Sequence, residues 1–92
     1  MIKTFAGKET ESLWQRRRCR LPADIQQRSF DKLLLLDSAP DLDFLRFPPG
    51  NRLEPLKGER EGQHSIRVNA QWRICFLWTG TDAEDVEICD YH

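Results

Sequence analysis

Ninety-two residues, 39% of them hydrophobic and 32% charged with a net charge of −1, describe one small water-soluble domain spanning 1–92, near the size at which a core holds without cross-links. No apolar run approaches the roughly 20 residues of a membrane helix, and the opening Met1-Ile2-Lys3-Thr4-Phe5 runs into polar sequence with no signal-peptide pattern. The near-zero charge excludes a broad basic surface that grips nucleic acid by counterion release alone.

Met1 to Phe5 is a short apolar entry that suits a strand, closed by Gly7. Lys8 to about Arg17 favours a helix, with Leu13 and Trp14 as buried anchors and Glu9 and Glu11 suited to its positive N-terminal pole. Arg16, Arg17, Arg18 and Arg20 then crowd together. Such a run is ordinarily a solvated helix end, and its functional alternative is contact with RNA or an acidic partner. Pro22 and Asp24 open a second helix whose apolar face is Ile25, Phe30, Leu33, Leu34 and Leu36, running to about Ala39. Pro40 ends it, Asp41 is placed to cap one short turn, and Pro48-Pro49-Gly50-Asn51 is a turn by composition.

After residue 51 the helical period gives way to alternation. Leu53 to Leu56, Gln63 to Val68, Trp72 to Trp78 and Ala83 to Tyr91 read as strands, separated by Lys57-Gly58-Glu59, Asn69-Ala70-Gln71 and Thr79-Gly80-Thr81-Asp82. Connections this short make antiparallel neighbours. The strand from Trp72 is apolar on both sides apart from Arg73, which predicts a central position. The fold class is therefore α+β, two helices on a curved, mostly antiparallel sheet.

Side chains alternate between the faces of a strand. Trp72, Ile74, Phe76 and Trp78 suit the helix side, which leaves Arg73 facing away from the core, and Arg67 stands in the same relation to Ile66 and Val68. Two guanidinium groups on adjacent strands make a candidate anion site, with Lys57 beyond the end of the first of these strands. The alternative is that each arginine pairs with an acid of the last strand. That strand ends on Asp90, Tyr91 and His92, which a strand twist brings towards one rim.

Cutting RNA without a metal needs a base for the 2′-hydroxyl proton, cations for the phosphate as it gains charge, and an acid for the leaving 5′-oxygen. His92 suits either proton role near neutrality, Asp90 suits orienting it or acting as base, and Tyr91 suits stacking or proton donation. Glu54 is a further candidate base. The three separated cysteines, Cys19, Cys75 and Cys89, read as reduced thiols in a cytoplasm, and two histidines without clustered cysteines predict no metal or cofactor.

Residues 51–78, "NRLEPLKGEREGQHSIRVNAQWRICFLW", with the terminal "DYH" and the opening "MIKTF", closely resemble the HigB toxins of the RelE/ParE superfamily. The most specific pieces are the "LKG" turn, "SIRVN", "QWRICF" and the last three residues taken together. The resemblance implies a RelE/ParE-like fold and a type II toxin that cuts messenger RNA in the ribosomal A site, leaving a cyclic phosphate and a 5′-hydroxyl. It also implies a HigA-type helix-turn-helix antitoxin as partner, and operator DNA reached only through that antitoxin. Carried over residue by residue, its site falls on Lys57, Arg67, Arg73, Asp90, Tyr91 and His92. Glu54 stands where some members have histidine, which moves the expected base towards Asp90 and His92. Rival functions on the same fold are a ParE-like protein that poisons gyrase by binding it, and an inactive relative that binds antitoxin as a co-repressor.

Overall fold

A computed structural model describes residues 1–90 of the chain. The alternating half forms one antiparallel sheet of β1 (Glu54–Pro55), β2 (Gln63–Arg67), β3 (Trp72–Thr79) and β4 (Asp82–Asp90), in spatial order β1-β2-β3-β4. β1 is shorter than the alternation predicts, because Pro55 has no N–H for the ladder and only Glu54↔Ser65 and Pro55↔His64 are paired. β3 is central, as its apolar run requires. The β3–β4 turn is Gly80-Thr81, where Gly80 at φ +77° takes the left-handed conformation.

The β3–β4 register slips once. Cys75 faces Glu87 but Leu77 faces Glu84, so one extra residue of β4 lies opposite Phe76, and Asp85 there adopts φ +52°. This bulge governs the N-terminal segment. Ile2 and Phe5 bridge in parallel to Ala83 and Val86, and Asp85 N–H is taken by the Thr4 hydroxyl at 2.9 Å. The expected N-terminal strand is therefore reduced to isolated bridges, since the bulge interrupts a continuous ladder.

Helix α1 (Lys8–Trp14) ends earlier than the sequence suggests. Arg16 takes φ +60°, its N–H bonds Leu13 O at 3.0 Å, and Arg17 N–H bonds Ser12 O at 2.8 Å, which closes the helix end in a Schellman arrangement. The arginine cluster thus occupies a loop rather than a helix end. Helix α2 (Ala23–Ser38) follows Pro22 and buries Ile25, Ser29, Phe30, Leu33 and Leu36. Leu34 falls outside that stripe and is 47% exposed. Asp41 caps the following 3-10 turn, Leu42–Arg46, by accepting from Phe44 N–H at 2.9 Å, and Pro49–Asn51 forms another such turn.

One core joins the two halves: Leu33 and Leu36 of α2 and Leu45 pack with Ile66, Ile74, Phe76 and Val86 of the sheet, all fully buried. Removing each of these from water contributes about 1.5–3 kcal/mol before chain entropy is set against it. Helices cover one face of the sheet, so the other is available for chemistry. Among the described residues no helix is long and apolar enough to cross a membrane.

Candidate active site

Cross-strand register decides which side chains share a face. Arg67 stands opposite Arg73, and Arg73 opposite Cys89; the next row holds Glu54, Ser65, Cys75 and Glu87. The alternate row, Ile66, Ile74 and Ile88, points into the core. The expected pair of neighbouring guanidinium groups on the face away from the helices is therefore present.

Like charges directly opposite repel, and the surroundings of Arg73 offset that repulsion. Its side chain is nearly buried; Nε donates to Ser65 Oγ at 2.7 Å, and Nη2 donates to Arg52 O at 2.6 Å and Ser65 O at 3.3 Å. Arg52 delivers its carbonyl from a left-handed conformation, φ +45°, just after the Pro49–Asn51 turn. Arg67 is instead turned towards the β2–β3 connection, where Nε donates to Asn69 O at 3.1 Å. Arg52, Arg67, Asn69, Ala70 and Arg73 line an open hollow of about 310 Å³.

Asp90 closes β4 opposite Trp72. Its Oδ2 accepts from Gln71 Nε2 at 3.0 Å, while Asn69 Oδ1 accepts from Gln71 N–H and Trp72 N–H at 2.8 Å. The carboxylate is thus bonded to the same turn that walls the hollow. Tyr91 and His92 lie outside the described residues. Glu54 is half-exposed, and its Oε1 lies 3.6 Å from Arg73 Nη2. Lys57 follows β1 at the Gln63 end of β2, whereas Arg67 is at the other end, and Lys57 is not among the residues that line the hollow.

Two acids of β4 have partners away from these arginines. Glu87 pairs with Arg60 at 2.9 Å and Asp82 with the N-terminal ammonium at 3.5 Å. Beside Arg73, the neighbouring Cys89 thiol holds the Cys75 thiol below its ordinary pKa, and Cys75 together with burial pushes Cys89 up. His64 packs flat against Phe76, and Trp72 packs on the core side. Arg16 lies over the Phe30 ring at 3.9 Å and shares with Arg17 a separate hollow of about 190 Å³.

Ser65, Arg52 and Asn69 are the contributors that sequence reasoning missed. Ser65 carried a signal, because it shares the parity of Arg67. Asn69 carried another in the Asn-Ala-Gln turn, where its side chain takes the place of a backbone acceptor. Arg52 carried none, since its contribution is a carbonyl.

A family model for HigB-like toxins, described as the RelE-like toxin of type II toxin-antitoxin system HigB, matches residues 3–92. The chain belongs to the HigB toxin family. Toxin HigB-1 of Vibrio cholerae serotype O1 is 41% identical over 80 residues, covering 85% of this chain and 84% of that protein. Endoribonuclease HigB of Proteus vulgaris is 38% identical over 93 residues, covering 100% of both. More distant structures share the fold of this HigB-family chain. The YoeB–YefM complex from Staphylococcus aureus gives a TM-score of 0.62 at 19% identity, covering 100% of this chain and 95% of that one. YafQ from E. coli gives 0.61 at 16% identity, covering 98% and 91%. As a HigB-family member it is the toxin of a type II system, whose counterpart is an antitoxin.

Proposed function

We propose that this toxin is an endoribonuclease that cuts messenger RNA in the ribosomal A site, using side chains alone. The observation that carries the reading is the Arg67↔Arg73 pair, adjacent on one sheet face at the margin of an open hollow. In the proposed step the 2′-oxygen attacks phosphorus in line and gives its proton to Asp90 or His92, with Glu54 as the remaining candidate base. The P–O5′ bond breaks as His92 or Tyr91 protonates the departing 5′-oxygen, leaving a cyclic phosphate and a 5′-hydroxyl. Arg73 and Arg67, with Lys57 reaching in from the Gln63 end of β2, stabilise the charge gathered on the phosphorane-like oxygens. Arg73 suits this role because Ser65 and Arg52 already fix its guanidinium, so little reorganisation accompanies the reaction.

A chain of net charge −1 attracts free RNA weakly, and the ribosome supplies what is missing by holding the message in an attack-ready geometry. Tyr91 stacks on an A-site base in this reading. The same reading places the toxin in the cytoplasm with a HigA-type helix-turn-helix antitoxin, through which alone it reaches operator DNA. The test is to express wild type and His92→Ala without antitoxin and map new 5′ ends on cellular transcripts. New 5′-hydroxyl ends in the wild type that are lost in the variant support the reading. Growth arrest without new ends, accompanied by inhibited supercoiling, would replace it with gyrase poisoning.

A further inference from the structure

Arg67 is a wall shared by two hollows. Beyond it, on the side away from Arg73, lies a second open hollow of about 320 Å³, bounded by Arg28 and Lys32 of α2, by Gly50, and by the same 68–70 turn. Arg28 and Lys32 are four residues apart on one helix face, a spacing at which like charges repel. Neither forms an ion pair among the described residues. The Lys32 ammonium is nevertheless held in place by Asn51 Oδ1. Asn51 is itself fully buried and donates to Leu45 O at 3.2 Å and Phe47 O at 3.0 Å. A buried amide thus fixes a cation beside a second cation and across the hollow from a third. The like charges repel one another, and an anion between them would neutralise that repulsion.

We propose that the Arg28/Lys32 hollow is a second phosphate seat, which holds the RNA backbone beyond the phosphate gripped at Arg67 and Arg73, with Arg67 bridging the two. The proposal rests on the RNA-cleaving reading above and extends it along the strand. Burial and the neighbouring Arg28 charge both depress the Lys32 pKa, as expected for a cation that lacks its counter-ion.

The test uses the full chain, 2′-O-methyl RNA that is not cut, and fluorescence anisotropy against salt, with oligonucleotides of about 12 and about 3 nucleotides. For the longer strand, the double variant Arg28→Gln/Lys32→Gln should reduce the slope of log K against log salt by about 0.7, the share of one phosphate, and leave the shorter strand unaffected. Arg28→Glu alone should weaken the longer strand by about 10-fold or more; it touches no part of the Asn51 network, so it separates binding from folding. Unchanged slopes for both variants, or wild type that binds neither strand, would overturn the second seat while cleavage by wild type stands. Reduced slopes in a chain that cuts no message would keep the seat and remove the nuclease reading. A benzophenone on Arg28→Cys in the toxin bound to programmed ribosomes then identifies the source of the phosphate: crosslinks to message or to ribosomal RNA support the seat. Crosslinks to protein alone, or loss of antitoxin binding in place of oligonucleotide binding, would overturn it.

Discussion

Ser65 and Arg73, on adjacent strands, are joined by a buried hydrogen bond of 2.7 Å from Nε to Oγ. Ser65→Ala removes that acceptor from a buried guanidinium N–H. Loss of about 1–3 kcal/mol is expected, read as a fall of roughly 4–8 °C in Tm per kcal/mol for a domain of this size. Arg73→Lys keeps the charge but loses the fork that spans Ser65 and Arg52, and single-turnover cleavage should slow by roughly 10²-fold.

Arg16 gives a paired test at one position. Its left-handed backbone costs about 1–2 kcal/mol for a residue with a Cβ, and its guanidinium over Phe30 returns about 0.5–1 kcal/mol. Arg16→Gly should therefore be neutral or slightly stabilising, whereas Arg16→Ala keeps the backbone cost, loses the ring contact and melts lower. Urea denaturation of both variants reads the difference directly.

Asn51 ties three elements together. Asn51→Ala strips the carbonyls of Leu45 and Phe47 of their donor and leaves the Lys32 ammonium without its acceptor. Destabilisation of about 2–3 kcal/mol is expected. Amide exchange should quicken first around residues 45–52, because those backbone groups are what the side chain secures.

The Lys32 ammonium titrates below its ordinary value of 10.5, first because of burial, then because of Arg28, with Asp31 acting in the opposite direction. At pH values below its folded-state pKa, the ammonium is charged in both folded and unfolded chains and its unfavourable environment is felt in full. As pH rises through that value towards 10.5, the folded chain releases the proton first and the penalty is relieved. Stability should accordingly gain from this group over that alkaline window, and Lys32→Gln should flatten the gain. NMR titration of the labelled lysine should place its midpoint below 10.5 and show it moving up when oligonucleotide is added.

Alternation made the sheet legible: an apolar β3 had to be central, and parity alone put Arg67 and Arg73 on the face away from Ile66 and Ile74. What the residues did not reveal depends on backbone conformations that sequence pattern does not report. Arg16 and Asp85 are not glycines, so neither the early end of α1 nor the bulge in β4 had a visible sign. The same holds for Arg52, which serves Arg73 through a carbonyl. Arg28 and Lys32 had no visible sign either, because only the turn from Pro49 to Asn51 gives those cations a shared environment. Lys57 is expected beyond the end of the Arg67 strand, and the antiparallel pairing of β1 with β2 sets it at the Gln63 end, with Arg67 at the other.

The Met1–Ala6 segment carries a further consequence. Its backbone bonds to Ala83 and Val86, and the Thr10 hydroxyl then takes the Ile88 N–H at 2.9 Å, so the outer border of β4 is already occupied by the chain itself. The opposite border is a two-residue strand containing Pro55. Among the described residues neither rim offers a foreign polypeptide a long row of open amides to zip onto. An antitoxin strand laid along either border would find few open backbone groups to pair with.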